Sequence, residues 1–239
     1  MPLPATHWLN DDILLGIFNC YRLDEEDDWN DRLGWRNLSQ VCQRWRHLIY
    51  ECSSHLGMHI KCTNGSPMVN TLDHLPLLPL FVYYSSQYLA STVPKQDELG
   101  IYHTLRLHGR ICHLELALSP SISHKVLALM NDNFPILEHL SVSCSFSLDS
   151  RHRLPLTLPK TFLAPNLRHL TLFGIGLSKR LRVLTSTVSL VTLNLSNIQT
   201  SSYFRPRLLA ARLRSLSLLE ELTVTFSIPI PRPSTEREL

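Results

Sequence analysis

A six-residue pattern, apolar-x-x-Leu-x-apolar, recurs along this chain and limits what it can fold into. It occurs as Ile111/Leu114/Leu116, Leu137/Leu140/Val142, Leu167/Leu170/Leu172, Leu190/Leu193/Leu195 and Leu219/Leu222/Val224, with start-to-start spacings of 26, 30, 23 and 29 residues. Two copies add a third apolar position, Ile175 and Ile198. The alternation inside each copy suits a short strand. The pieces between copies, such as 125–131, 179–186 and 206–218, suit a helical return. One such unit cannot bury its apolar face alone, but stacked units share a core. Leucine usage fits this, at 47 of 239 residues, close to twice the ordinary level.

The first fifty residues have a different character. They hold all four tryptophans, Trp8, Trp29, Trp35 and Trp45. Asn10 is a good N-cap, and Asp11 and Asp12 place negative charge in a first turn, so a helix is expected over 9–21. Leu9, Ile13, Ile17 and Tyr21 recur every four residues, with Leu14 and Phe18 alongside. The polar, acidic stretch 22–31 reads as a solvated loop. A second helical stretch follows from Asp31 to about Cys52, carried by Trp35, Leu38, Val41, Cys42, Trp45, Leu48 and Ile49, with a break expected at Ser39. Short strands are expected around Ile60 and over 77–84, a turn at 63–67 and a helix over 97–107. The resulting division is a helical unit at 7–52, connecting strands and a helix at 53–104, repeats at 105–226, and a proline-rich tail at 227–239. The tail reads as disordered or as the end of a truncated array, because nothing in it can cover the last repeat.

Charge is unevenly spread. The net charge of +3 does not by itself imply nucleic acid. Residues 1–31 carry eight acids and one base, whereas eleven Lys and Arg and no acid lie between Asp149 and Glu220. Nucleic-acid binding through that basic 150–219 stretch is therefore kept as an alternative. The start of the chain lacks the basic and apolar segments of a secretory signal, and the run from Leu75 to Tyr84 is broken by Pro76 and Pro79. No membrane association is expected. Six scattered cysteines without a Cys-x-x-Cys suit free thiols in a cytoplasmic or nuclear protein.

The repeats form a leucine-rich-repeat pattern with irregular spacers, and the N-terminal segment resembles an F-box. Leu9-Asn10-Asp11-Asp12-Ile13-Leu14-Leu15-x-Ile17-Phe18 matches the family's opening, with Asn10 where proline is usual. Trp35-x-x-Leu38-x-x-Val41-Cys42-x-x-Trp45-Arg46 matches its second part, after an acidic insertion of about ten residues. Long-insert F-boxes followed by irregular leucine-rich repeats are similar to members of large fungal F-box families. The resemblance implies an α/β fold: a small helical F-box, then a solenoid with a parallel concave sheet. It also implies docking on a Skp-family linker protein, through it a cullin-based ubiquitin ligase, and a protein substrate held by the repeats. Leu9, Ile13, Leu14, Ile17, Val41 and Trp45 are then the interface or interface-supporting residues. A helical hairpin this short carries more large apolar residues than its own core needs, which independently suits a docking face. Trp45 suits internal packing equally well. An interaction scaffold outside ubiquitination is the remaining alternative.

The candidate substrate surface follows from the strand alternation. His113, His139 and His169 each precede the middle leucine of a repeat, a position that faces outward on the concave sheet. Strands ~4.8 Å apart would align them as a ladder. Glu115, Ser141, Ser143, Thr171, Phe173, Asn194, Ser196, Thr223 and Thr225 share that face, and suit protein or peptide recognition more than catalysis. Metal binding by the ladder is the weaker reading. Cys52, His55, His59 and Cys62 have zinc-ligand types, but lack the long spacer that wraps the ion. Gly174-x-Gly176 lacks the rest of a phosphate loop and reads as a turn. No nucleophile is paired with a base. No catalytic residue, metal or cofactor is assigned, and the chain is read as a non-enzyme.

Overall fold

The repeated strands assemble into one sheet. The structure is a computed structural model that describes residues 9–24, 34–52, 60–65, 78–85, 95–144, 156–177, 182–198 and 206–227. Its strands are β1 (Ile60–Cys62), β2 (Leu80–Ser85), β3 (Ile111–Leu118), β4 (His139–Cys144), β5 (His169–Phe173), β6 (Thr192–Ile198) and β7 (Glu221–Phe226). They form a seven-stranded sheet in strict chain order. Every neighbouring pair is parallel. Parallel neighbours need a crossover between them. Helices α4 (Lys95–Arg106), α5 (Pro120–Leu129), α6 (Arg182–Ser186) and α7 (Pro206–Leu213) lie in the crossovers before β3, β4, β6 and β7.

Register explains the leucine spacing. Val82, Leu114, Leu140, Leu170, Leu193 and Leu222 form one row across β2 to β7. Tyr84, Leu116, Val142, Leu172, Leu195 and Val224 form the next. Up to β6 both rows are almost completely buried. Phe134 and Phe162 fill the crossovers on either side of β4, with ring centroids 5.3 Å apart. Isolated parallel bridges, Asn133 with Leu163 and Thr157 with Gly176, tie the crossovers to one another.

The boundaries differ from the sequence expectation in instructive ways. The sheet begins at β1, so the strands expected around Ile60 and over 77–84 are its first two members. Helix α5 starts five residues early because Ser119-Pro120 opens it, and proline suits the first helical position. Helix α7 ends at Leu213 rather than 218. The Gly174 turn is borne out: its φ of +70° lies in the left-handed region that glycine adopts without strain.

The N-terminal unit consists of α1 (Asp11–Asp24), α2 (Gly34–Val41) and α3 (Gln43–Glu51). Asn10 caps α1 as expected, its Oδ1 accepting the Ile13 N–H at 2.8 Å. The break in the second helical stretch falls at Cys42, which is extended (φ −158°, ψ 169°), and not at Ser39. Ser39 is buried instead, and its carbonyl accepts a hydrogen bond from Arg46 Nε at 3.0 Å. Leu14, Phe18, Leu48 and Ile49 are buried and join the same apolar cluster as the sheet. That cluster closes over Ile60 and Cys62 of β1 but not over β7, where Leu222 is 47% and Phe226 38% exposed.

Candidate functional site

The sheet has one apolar and one polar face, because successive side chains alternate. On the polar face, register aligns Phe81, His113, His139, His169, Thr192 and Glu221 in a row at the start of the strands. The next row is Tyr83, Glu115, Ser141, Thr171, Asn194 and Thr223. The third contains Ser85, Ala117, Ser143, Phe173 and Ser196. Eleven of the twelve candidate surface residues thus share one surface. Thr225 accepts a hydrogen bond from the Asn197 N–H at 3.0 Å, across a bulge that interrupts the β6–β7 register. Phe81 and Tyr83 extend the face by a strand that the repeat pattern did not assign to it.

The histidine row is a stack. The Phe81 and His113 rings lie 3.8 Å apart at 13°, and those of His113 and His139 lie 4.1 Å apart at 1°. His139 and His169 are looser, at 5.7 Å and 37°. His169 Nδ1 shares a hydrogen bond of 3.2 Å with Thr192 Oγ1. Burial, and secondarily the charge of His169, lower the His139 pKa from its ordinary 6.5. His139 is therefore neutral at neutral pH. Glu115 lies 3.8 Å from His113 Nε2, and burial raises its carboxyl pKa above the ordinary 4.5.

A second candidate surface lies on the helical unit. Ile13, Ile17 and Val41 are 50%, 44% and 56% exposed. Leu9 is half-buried. Trp45 is also half-buried, its ring edge-on to Phe18 at 4.9 Å and 65°. Leu14 falls on the supporting side of the expected set. It is fully buried in the core of the unit, so it supports the exposed residues and is not itself available to a partner. Arg44 ties the unit together, its Nη2 donating to the Leu9 carbonyl and to Asp11 Oδ1, each at 2.6 Å. The side chain of Trp35, the acidic insertion and the tail lie outside what the structure describes.

The described bases of the acid-free stretch sit off the polar face. Arg182, Arg207 and Arg212 are on α6 and α7, the exposed Arg168 immediately precedes β5, and Lys160 and Arg214 are in exposed crossovers. Of the Cys52, His55, His59 and Cys62 cluster, His55 and His59 lie outside the described residues. Among the described residues no group of three His, Cys, Asp or Glu is placed to hold a metal ion. The six cysteines are present as thiols, and burial raises those of Cys62 and Cys112 to about 12 and about 11. Those two are poor nucleophiles, since the thiolate is the reactive form. Among the described residues no helix is long and apolar enough to cross a membrane. No protein-family model, curated protein or solved structure matches the chain.

Proposed function

We propose that the chain is a non-catalytic adaptor of a cullin-based ubiquitin ligase. In this reading 7–52 is an F-box that docks on a Skp-family linker protein. Residues 105–226, extended back to β1, form a leucine-rich-repeat solenoid whose polar sheet face holds a protein substrate. The observation that carries the proposal is the split within α1. Leu14 and Phe18 fill the core of the helical unit, while Ile13 and Ile17, one residue earlier in each pair, stay exposed with Val41. Those residues belong to the stretches that match the F-box motif. Exposed apolar side chains of this size on a helix suit a partner's groove.

The sheet supports the second half of the reading. Its polar face is continuous over six strands and rich in hydroxyl, amide and imidazole groups, which suit recognition of a polypeptide.

The test is co-purification of a Skp-family linker with the full chain and with the Ile13→Asp/Ile17→Asp double variant. Both positions are exposed, so the variant keeps its fold, as circular dichroism and melting temperature will report. A carboxylate forced into an apolar interface without a partner costs several kcal/mol. Linker binding is expected for the wild type and lost in the variant. Equal recovery of the linker by both proteins, or by neither, would overturn the F-box assignment. Absence of binding by both would leave the scaffold reading in its place.

A further inference from the structure

The sheet is closed at one end and open at the other. At the β1 end Ile60 and Cys62 are fully buried, and Leu14, Phe18, Leu48 and Ile49 of the helical unit join the same apolar cluster. At the other end β7 is the edge, with no strand beyond it among the described residues. Val188 and Leu218 of the last two crossovers and Leu222 and Phe226 of β7 are all exposed. An open strand edge is a template for another chain, and proteins commonly block it with lysine, proline or a bulge. The β7 sequence, Glu-Leu-Thr-Val-Thr-Phe, has no lysine, arginine or proline. The bulge in the β6–β7 register belongs to β6, where Leu195 to Ile198 spans what Val224 to Phe226 spans in β7.

The bonds of β7 to β6 fix what the edge offers. The N–H groups of Glu221 and Ser227 donate to the Val191 and Ile198 carbonyls. Along a paired strand, successive residues turn their backbone polar groups to alternate sides in the plane of the sheet. Glu221, Thr223, Thr225 and Ser227 therefore face β6, and Leu222, Val224 and Phe226 direct N–H and C=O outward. The side chains of the same three residues lie on the apolar face, in register with Leu193, Leu195 and Ile198.

We infer that β7 pairs with β7 of a second copy of this chain, antiparallel, about a two-fold axis that passes through Val224 perpendicular to the sheet. In this register Val224 faces Val224, Leu222 of each copy faces Phe226 of the other, and the outward-facing residues exchange main-chain hydrogen bonds. Centring the pair on Thr223 instead sets Phe226 opposite Glu220, outside β7. A parallel pair needs the axis to run along the strands, which turns the second sheet over and sets its polar face beside the apolar face of the first. The single charge of β7, Glu221, falls opposite Ser227, so no like charges meet. Because the β1 end is closed, the contact cannot repeat head to tail, and the assembly stops at two. Both polar faces then lie on one side of a continuous sheet. The contact is one strand from each copy, at the small end of interface sizes, so the dimer dissociates on dilution and leaves β7 open. The inference is independent of the F-box reading.

Sedimentation of the full chain from about 1 µM to about 1 mM is expected to show monomer passing to dimer and nothing larger. Thr223 and Thr225 test the register, since each faces the other across the axis and both are exposed. A glutamate at 225 can still accept the Asn197 N–H that Thr225 Oγ1 accepts. Thr223→Glu/Thr225→Glu sets like charges directly opposite one another, and is expected to weaken the dimer at least tenfold while circular dichroism reports an unchanged fold. Thr223→Lys/Thr225→Glu sets opposite charges there, and is expected to keep or tighten it. Amide exchange reads the same contact without substitution. The N–H groups of Leu222 and Val224 are expected to exchange more slowly as concentration rises, whereas those of Thr223 and Thr225, already bonded to β6, are not. A wild type that stays monomeric throughout, or that forms species larger than a dimer, would overturn the inference. So would a dimer that the first variant leaves intact, which places the contact elsewhere, or one that both variants weaken alike, which places it in another register.

Discussion

Leu193 and Leu222 are in register on adjacent strands, occupy the same place in successive repeats, and differ in what covers them. Leu193 is completely buried, whereas Leu222 is 47% exposed. Replacing each by alanine removes the same atoms. At Leu193 the transfer loss is joined by a cavity, because β5 and β7 flank it and the sheet cannot collapse inward. Comparable core substitutions cost about 2.7–5.0 kcal/mol. At Leu222 the lost methyl and methylene groups are worth about 0.8 kcal/mol each when fully buried. Half-exposure reduces their total to about 1 kcal/mol, and solvent fills the space without a cavity. The expected difference between the two variants is therefore about 2–4 kcal/mol. Urea unfolding followed by circular dichroism measures it, with the slope m serving as the check that both variants unfold from the same native state. Amide exchange gives a second reading: β7 is expected to exchange faster than β4 and β5, since Leu222 and Phe226 are exposed where their counterparts in β4 and β5 are buried. Costs equal to within about 0.5 kcal/mol, or strong protection in β7, would refute the open-ended core.

Two further outcomes follow from local geometry. The folded chain holds His139 below its ordinary pKa, so below pH 6.5 the unfolded chain takes up a proton that the folded chain refuses. Stability contributed by neutral His139 is thus present above 6.5 and lost as pH falls through the unfolded value toward the folded one; the wild type is expected to lose more stability than His139→Gln between about pH 7 and 5 in parallel urea titrations. Among the glycines, Gly16 of α1 has nothing within 4 Å of the place a Cβ would occupy, so Gly16→Ala is expected to add about 0.5–1 kcal/mol through helix propensity. A Cβ at Gly100 of α4 would meet the buried Tyr84 hydroxyl at 3.0 Å, and overpacking of about 1–3 kcal/mol exceeds the same gain, so Gly100→Ala is expected to lower the melting temperature.

The leucine rows were legible because a period of two inside each repeat, and a repeat of the repeats, state the same thing twice. Strands β3 to β7 follow from that alone. Strand β2 escaped the pattern because Val82 and Tyr84 stand where the repeat carries leucine and a smaller apolar residue. Its outward residues, Phe81 and Tyr83, are aromatic, so the run looks apolar on both faces and the alternation is hidden. The helical surface was half legible for a related reason. Ile13/Ile17 and Leu14/Phe18 are two rows about 100° apart on one helix, and either suits a core. Only the placement of α2 and α3 decides between them: Leu14 and Phe18 go inside, with Trp45 against Phe18. The break at Cys42 was hidden because a cysteine carries none of the usual helix-stop chemistry.

The two faces of the sheet answer to different demands. On the apolar face every position from β2 to β6 lowers the free energy of folding by leaving water, and the residues vary only among Leu, Ile, Val, Tyr and Cys. On the polar face three features work against folding. Glu115 is held where its charge is disfavoured, His139 resists the proton it would take in water, and two imidazoles lie flat on one another. A face serving only to be wetted has simpler solutions, such as lysine or threonine at each of these positions. Departures from what local stability favours concentrate at functional sites. Here they fall side by side on β3 and β4, next to the aromatic pair of β2. That placement separates the β2–β4 end of the sheet from the hydroxyl- and amide-lined remainder.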